Sequence, residues 1–176
     1  MRKIILYISA TIDMQIASKE GTHKWLADYP NPDKKEYGWK EFYKDIDVLI
    51  MGGKTYRSIQ NMGIGWPYGD KVSYVITRQN REASNDQLHF INEEWIEKIR
   101  ELKKEEGKDI WLVGGSEILS IFLKEKLIDK MIIVQYPILL GPGIPLFQGN
   151  QEVSMWSIIR HRIYENGILY TEYSRH

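Results

Sequence analysis

Short apolar runs alternate with amphipathic stretches along most of the chain. Apolar runs of strand length, without helical periodicity, cover Lys3–Ser9, Val48–Met51, Val72–Thr77, Leu88–Ile91, Ile110–Val113 and Met131–Ile138. Apolar residues at helical spacing occupy Trp39–Ile46, a short stretch from Lys54, Trp95–Leu102 and Ser116–Lys126. Strands that alternate with helices predict a mostly parallel central sheet with helices packed on both of its faces.

The end of the chain has a different pattern. Two strand-like runs, Trp156–Tyr164 and Ile168–Tyr173, flank the segment Glu165-Asn166-Gly167. Asn-Gly between two such runs is a strong signal for a β-hairpin. We therefore expect an α/β protein of three layers, whose mostly parallel sheet carries an antiparallel hairpin at its C-terminal edge. Neither a repeat nor a linker divides the sequence, so residues 1–176 are predicted to form a single domain.

The composition narrows the chemistry. Lys and Arg number 24, Asp and Glu also number 24, and no basic stripe is present, which argues against nucleic-acid binding. The absence of cysteine excludes disulfides, cysteine-ligated metals and a thiolate nucleophile, and the four histidines lack metal-ligand spacing. No apolar run approaches the ~20 residues of a membrane helix. We expect a cytoplasmic protein that acts on a small molecule, without metal, membrane or nucleic acid.

Two glycine pairs, Gly52-Gly53 and Gly114-Gly115, follow apolar strands and open helices. Without side chains at such a turn, an anion can approach the positive N-terminus of the following helix. Glycine is also common at strand-to-helix turns for structural reasons, so either pair alone is weak evidence. Together the two pairs fit a pyrophosphate. A Walker A loop is excluded because it would need glycine at Val48, and no GxGxxG motif occurs.

Thr77 and Arg78 end another strand, at what should be the same edge of the sheet. A guanidinium there can fork onto the 2′-phosphate of NADP, and the Thr77 hydroxyl can donate a hydrogen bond to it. The alternative interpretation is an ordinary exposed arginine after a strand.

Glu36 and Asp13 are the candidate catalytic acids. Glu36 lies at helical spacing from Trp39 and Tyr43, so its carboxyl group is expected to border the buried face of a helix. Such a position raises the pKa of an unpaired carboxyl group and suits a general acid or an anchor for an amino-pyrimidine edge. The alternative role of Glu36 is to complement the helix dipole. Asp13 lies in the loop after the first strand, where it can also cap a turn.

Five blocks of sequence, covering nearly the whole chain, carry a resemblance to a known family. They are ISATIDMQIA at residues 8–17, VLIMGGKTYRS at 48–58, VITR at 75–78, WLVGGSEI at 111–118 and PILLGPGIPLF at 137–147. The combination resembles the dihydrofolate reductase-like superfamily, and within it the branch of the RibD C-terminal reductase domain. The last block favours that branch over true dihydrofolate reductases.

The resemblance implies hydride transfer from NADPH to a pyrimidine- or pteridine-type substrate. Ala10 and Ile16 would border the nicotinamide, and Thr77 with Arg78 would bind the adenosine 2′-phosphate. The cofactor phosphates would lie between two groups, Gly52, Gly53, Lys54 and Thr55 on one side and Gly114, Gly115, Ser116 and Glu117, flanked by Val113 and Ile118, on the other. In this family the matching Gly-Gly bond is typically cis. On the substrate side we expect Trp25, Trp39 and Glu36, because Glu36 falls where the folate enzymes place their active-site carboxylate.

Two positions depart from the family pattern. Met14 follows Asp13 where the family usually has glycine, and Gly53 stands where the motif MGRKT has arginine. Three functions stay open: reduction of a ribosylamino-pyrimidine as in riboflavin biosynthesis, reduction of dihydrofolate, and NADPH binding without catalysis. The resemblance also leads us to expect a homodimer, formed through the hairpin strands.

Overall fold

The structure, a computed structural model, describes residues 1–79, 86–149 and 152–176. The strands are β1 (Ile4–Thr11), β2 (Gln15–Ser18), β3 (Ile46–Gly52), β4 (Val72–Ile76), β5 (Leu88–Ile91), β6 (Asp109–Gly114), β7 (Lys130–Tyr136), β8 (Gly143–Pro145), β9 (Trp156–Ile163) and β10 (Leu169–Arg175). The helices are α1 (Lys24–Asp28), α2 (Trp39–Lys44), α3 (Gly53–Gln60), α4 (Trp95–Lys104) and α5 (Ser116–Lys124). None of these described helices is long and apolar enough to cross a membrane.

The central sheet has eight strands in the order β5-β4-β3-β6-β1-β7-β10-β9. The six strands from β5 to β7 in that order run parallel to their neighbours. β10 is antiparallel to both β7 and β9. The predicted fold class, a mostly parallel sheet that ends in an antiparallel hairpin, is thereby confirmed.

The side chains of β1 alternate between two hydrophobic clusters, one on each face of the sheet. Ile4 and Leu6 belong to the cluster that contains Phe122 of α5, and residues of α4 complete it. Ile5 and Tyr7 belong to the cluster that contains residues of α2 and α3. Because successive residues of a strand point to opposite faces, a strand covered on both sides reads as one continuous apolar run.

The C-terminal hairpin turns at the predicted Asn-Gly pair. Gly167 has φ of +83°, a left-handed conformation that glycine adopts without steric cost. The Tyr164 amide donates to the Ile168 carbonyl at 2.9 Å, which closes the turn. A Cβ atom on Gly167 would lie 3.3 Å from Cγ of Pro137, so the turn also packs closely on the chain after β7.

Two details differ from the pattern in the sequence. The aperiodic segment 11–35 contains the short strand β2, which pairs with β8 in a separate two-stranded sheet, and the five-residue helix α1. The helix predicted over 39–46 ends at Lys44, and Ile46 is the first residue of β3. Because Trp39 is the first residue of α2, Glu36 lies outside the helix.

Candidate active site

The carboxyl ends of β3, β4 and β6 meet at one edge of the sheet. In the register of the parallel pairs, Gly52 lies opposite Ile76 and Met51 lies opposite Gly114. Both glycine pairs and Thr77, the residue after β4, are therefore brought together by adjacent strands. Ligands of open α/β sheets bind outside the carboxyl ends of the strands, so this edge is the candidate site.

Neighbouring side chains closely approach the backbone at one glycine of each pair. A Cβ atom on Gly53 would lie 3.1 Å from Oγ1 of Thr77, and one on Gly115 would lie 3.4 Å from Oγ1 of Thr55. The peptide bond between Gly114 and Gly115 is cis, as the family resemblance implied. Two hydroxyl-bearing residues thus approach two bare backbone turns, an arrangement that fits a phosphate ester.

Both helices at this edge begin without a side-chain cap. The residues before α3 and α5 are Gly52 and Gly115, and neither can make a side-chain hydrogen bond to the first turn. The initial N–H groups of the two helices can therefore donate to an anion. Nζ of Lys54 contacts Oε1 of Glu117 at 2.5 Å, and this exposed ion pair joins the first turns of the two helices. The residues expected at the cofactor phosphates are thus adjacent.

The pairing between β1 and β6 ends beside these turns. β1 pairs with β6 only from Ile4 to Leu6, whereas its pairing with β7 continues to Thr11. Beyond Leu6 the two strands are not joined, and a Cβ atom on Gly114 would lie 3.8 Å from Cδ1 of Ile8. Ala10 and Ile16, expected beside the nicotinamide, are buried in the same cluster as Ile118. Half-buried Val113 precedes the Gly114-Gly115 turn.

The carboxylate of Asp13 holds two loops together. It accepts hydrogen bonds from Oγ1 of Thr11 and from the backbone amides of Leu140, at 3.2 Å, and Gly141, at 2.9 Å. The hydrogen bond from Thr11, reinforced by those from Gly141 and Leu140, holds the pKa of Asp13 below its ordinary value. Since both carboxylate oxygens accept hydrogen bonds from the protein, this geometry suits an anchor between the loops better than a proton donor.

Met14 adopts a backbone conformation that is uncommon for residues other than glycine. Its φ is 55°, in the left-handed region. The Met14 carbonyl accepts the Leu146 amide at 2.8 Å, and its sulfur lies 3.5 Å from Nε2 of Gln135. The backbone carbonyl contact would be open to glycine as well, whereas the sulfur contact places the Met14 side chain beside β7.

Glu36 is not where the sequence pattern predicted it. Its side chain is 42% exposed and pairs with Nζ of Lys40 at 2.6 Å. Tyr37 and Gly38, with φ of 48° and 84°, form a turn between Glu36 and α2, so the carboxylate does not continue the buried face of that helix. The prediction that Glu36 borders this face is therefore wrong, because the helical spacing was extended across a turn.

Trp39 is half-buried and packs against the hydrophobic cluster that contains residues of α2 and α3. Its indole makes ring contacts with Tyr7 at 5.3 Å, Tyr43 at 5.0 Å and Trp111 at 4.8 Å between centroids. These contacts fix α2 against the sheet, and they give Trp39 a structural role.

Trp25 belongs to an aromatic cluster at the carboxyl end of β7. The Tyr136 ring lies 5.4 Å from that of Trp25, 5.1 Å from that of Tyr29 and 6.0 Å from that of Tyr37. We call Trp25, Tyr29, Tyr37 and Tyr136 the β7 aromatic cluster. Burial and the neighbouring Tyr37 raise the pKa of Tyr136 to about 12, against the opposing effect of a hydrogen bond with Ser9. The Tyr136 phenol therefore stays neutral at ordinary pH.

Two polar atoms beside this cluster are buried and lack a hydrogen-bond partner within the described part of the chain. They are Nε1 of Trp25, a donor, and Oδ1 of Asn166, an acceptor. Asn166 joins the cluster because its Nδ2 donates to the Tyr37 hydroxyl at 2.7 Å. A buried donor and acceptor without partners are costly unless a ligand or water satisfies them. The sequence pattern indicates neither Tyr136 nor a role for Asn166 beyond the hairpin turn; its only signal for this cluster is the abundance of tyrosine, eleven residues.

Thr77 and Arg78 lie at the end of β4. Oγ1 of Thr77 accepts a hydrogen bond from the Gln79 amide at 3.2 Å and faces Gly53, and Arg78 is exposed.

No group of three or more His, Asp or Glu side chains within the described ranges is arranged to hold a metal ion.

Comparison with known proteins supports the resemblance. A family model for the RibD C-terminal domain matches residues 2–170. The uncharacterized protein YwjB of Bacillus subtilis (strain 168) is 37% identical over 146 residues, which are 83% of this chain and 83% of YwjB. The riboflavin biosynthesis protein RibD of Corynebacterium ammoniagenes is 26% identical over 160 residues, which are 80% of this chain and 44% of that protein.

Solved structures share the fold. A crystal structure from Shewanella sp. PV-4, assigned to riboflavin biosynthesis by name only, has a TM-score of 0.89 and 28% identity, and the match covers 99% of each chain. Dihydrofolate reductase from Enterococcus faecalis, complexed with NADP(H), has a TM-score of 0.70 and 13% identity, over 98% of this chain and 96% of that chain. The second likeness shows the fold alone, and it confirms the expected dihydrofolate reductase-like architecture.

Proposed function

Because the chain belongs to the RibD C-terminal domain family, we propose that it is an NADPH-dependent reductase acting on a pyrimidine- or pteridine-type substrate. The activity we propose is similar to that of 5-amino-6-(5-phosphoribosylamino)uracil reductase, an enzyme of riboflavin biosynthesis. The observation that carries the proposal is the meeting of two bare glycine turns, two uncapped helix N-termini and Thr77 at one sheet edge. The NADP(H) complex of a protein with this fold supports the same cofactor.

The chain offers distinct groups to each part of the cofactor. Backbone amides that open α3 and α5 bind the pyrophosphate, with Thr55 and Ser116 beside them, and the nicotinamide lies where the pairing of β1 with β6 ends. NADPH, when bound, supplies the hydride. The protein orients the ring against the buried wall that includes Ala10, Ile16 and Ile118, and thereby excludes water from its face.

The β7 aromatic cluster supplies the substrate side of the site. A planar heterocycle can stack against Tyr136 or Trp25, since aromatic pairs are favourable at centroid distances of about 4.5–7 Å. The buried Nε1 of Trp25 would donate to a ring carbonyl or nitrogen of that heterocycle. Asp13 serves as a positioning residue, because it ties the loop that bears Met14 to Leu140 and Gly141.

Dihydrofolate reduction is the less well supported alternative. The resemblance assigned its substrate-anchoring carboxylate to Glu36, which is exposed and paired with Lys40. A buried carboxylate would pair with a 2-amino-pyrimidine edge far more strongly than one screened by solvent and a lysine.

The experiment that tests the proposal has two stages. Tryptophan fluorescence is followed while the wild-type protein is titrated with NADPH and, separately, NADH; then NADPH oxidation is followed with the ribosylamino-pyrimidine and with dihydrofolate. We expect tighter binding of NADPH and turnover of the pyrimidine. Binding without turnover of any pyrimidine or pteridine would mean a nucleotide-binding protein without catalysis. Failure to bind either dinucleotide would refute the proposed function.

A further inference from the structure

Arg57 lies one turn into α3, beside the glycine that departs from the family pattern. Its Nη1 atom is 3.3 Å from the position that a Cβ atom on Gly53 would occupy. We propose that the Arg57 guanidinium fills the space left by Gly53 and binds the 2′-phosphate of NADPH, so that Arg57 determines the preference for NADPH over NADH. This inference rests on the proposed function.

The geometry places two complementary groups around one point. Residues four apart on a helix are neighbours on the same face, which sets Arg57 above Gly53. Oγ1 of Thr77 lies 3.1 Å from the same Cβ position, on the side of β4. A hydroxyl and a guanidinium that approach the same glycine can both donate hydrogen bonds to a phosphate monoester bound beside it.

The charges at this edge favour Arg57 over Lys54. Lys54, which precedes it on α3, is already paired with Glu117 at 2.5 Å. The Arg57 side chain is exposed, and within residues 1–79, 86–149 and 152–176 its guanidinium makes neither an ion pair nor a hydrogen bond. An anion binding Arg57 therefore need not displace a carboxylate. Arg78, directly after Thr77, can supply a second guanidinium to the same group.

The 2′-phosphate is the chemical difference between NADPH and NADH. A residue that binds only this group changes the affinity for NADPH and leaves the affinity for NADH unchanged. Loss of one charge-assisted, forked contact is expected to weaken NADPH binding tenfold or more, equivalent to about 1.4 kcal/mol. NADH binding should change by less than about twofold, because exposed Arg57 contributes no core packing.

The test uses titration calorimetry on the wild type and on Arg57→Ala, Arg78→Ala and Arg100→Ala, with NADPH, NADH, 2′,5′-ADP and 5′-AMP as ligands. Arg100 is the matched control: it is an exposed arginine on α4 that pairs with Glu125. Thermal melting establishes that each variant is folded. We expect Arg57→Ala to weaken the binding of NADPH and of 2′,5′-ADP tenfold or more, and to leave the binding of NADH and of 5′-AMP unchanged. Arg100→Ala should bind all four ligands as the wild type does.

The outcomes separate this inference from the proposed function. If the wild type binds neither NADPH nor 2′,5′-ADP, the proposed function fails. If the wild type binds NADPH but Arg57→Ala binds it equally well, or loses NADPH and NADH to the same extent, the role of Arg57 is refuted and the reductase proposal stands. The same holds if Arg78→Ala alone removes the preference.

Discussion

Replacing Asp13 by alanine tests whether this acid anchors loops or takes part in the chemistry. The substitution removes the acceptor for Thr11 and for the amides of Leu140 and Gly141. Hydrogen bonds to a charged group contribute about 1.5–3 kcal/mol each, but the contributions are not additive and these loops reach solvent. We expect the free energy of unfolding to fall by about 2 kcal/mol, a decrease in Tm of about 4–8 °C for a chain of this size.

The effect of Asp13 should depend on pH in a defined direction. Its pKa is lower in the folded protein than in the unfolded chain, so its ionised form favours folding. The stabilisation is complete above the unfolded value of about 3.9 and is lost as the pH falls through the lower, folded value. The difference in unfolding free energy between wild type and Asp13→Ala should be constant above about pH 5 and shrink below about pH 4.

Urea unfolding followed by tryptophan fluorescence, at neutral pH and at several acidic values, measures this difference. Asp28→Ala is the matched control, because Asp28 is an exposed aspartate at the end of α1, and its loss should change stability by less than about 0.5 kcal/mol. Equal stabilities of wild type and Asp13→Ala at neutral pH would refute the anchoring role. An Asp13→Asn protein of wild-type stability that binds NADPH but has lost turnover would make Asp13 catalytic instead.

Three further predictions concern the substrate side and the assembly. Trp25→Phe keeps an aromatic ring but removes the buried N–H. Steady-state kinetics should therefore show a KM for the pyrimidine that is raised about fivefold or more, while the affinity for NADPH is unchanged. An unchanged KM would contradict the substrate contact. Glu36→Gln should leave kcat/KM within about twofold of wild type, because its carboxylate is exposed and paired; a loss of about a hundredfold would restore it as a catalytic acid. We also propose a homodimer through the edge strand β9, whose Ile158, Ile159 and Ile163 are exposed. Analytical sedimentation should give a dimer for the wild type and a monomer for Ile159→Glu. A monomeric wild type would refute this interface.

The sequence predicted the sheet well because the apolar runs and the Asn-Gly turn are local signals. Each buried strand needs consecutive apolar residues, and the hairpin needs a residue that tolerates positive φ, as Gly167 does. The glycine pairs were found for a related reason, since a missing side chain is visible in the sequence. Glu36 was misplaced because helical spacing does not reveal where a helix begins, and the turn at Tyr37 and Gly38 lies between it and α2.

The β7 aromatic cluster could not be predicted in the same way. Trp25, Tyr136 and Asn166 come from a short helix, the end of a parallel strand and the tip of the hairpin, and only the sheet order β1-β7-β10 brings them together. Contacts between residues so distant in the chain have no periodic signature. The position of Trp25 in the long first loop suggests a contact with the substrate, but nothing in the sequence indicates which residues surround it.

The two departures from the family pattern show why a motif should be compared by position in space as well as by position in sequence. At residue 14 the backbone keeps the left-handed conformation that glycine favours, and the methionine sulfur contacts Gln135. At residue 53 the arginine is absent from the motif, but the guanidinium of Arg57, one turn further along α3, lies within 3.3 Å of the place where that side chain would begin. A phosphate requires a fork of N–H donors at a given point and does not require that they come from a given residue number. The loss of arginine at residue 53 is therefore no evidence against NADPH, and the Arg57→Ala titration decides between a replaced contact and a lost one.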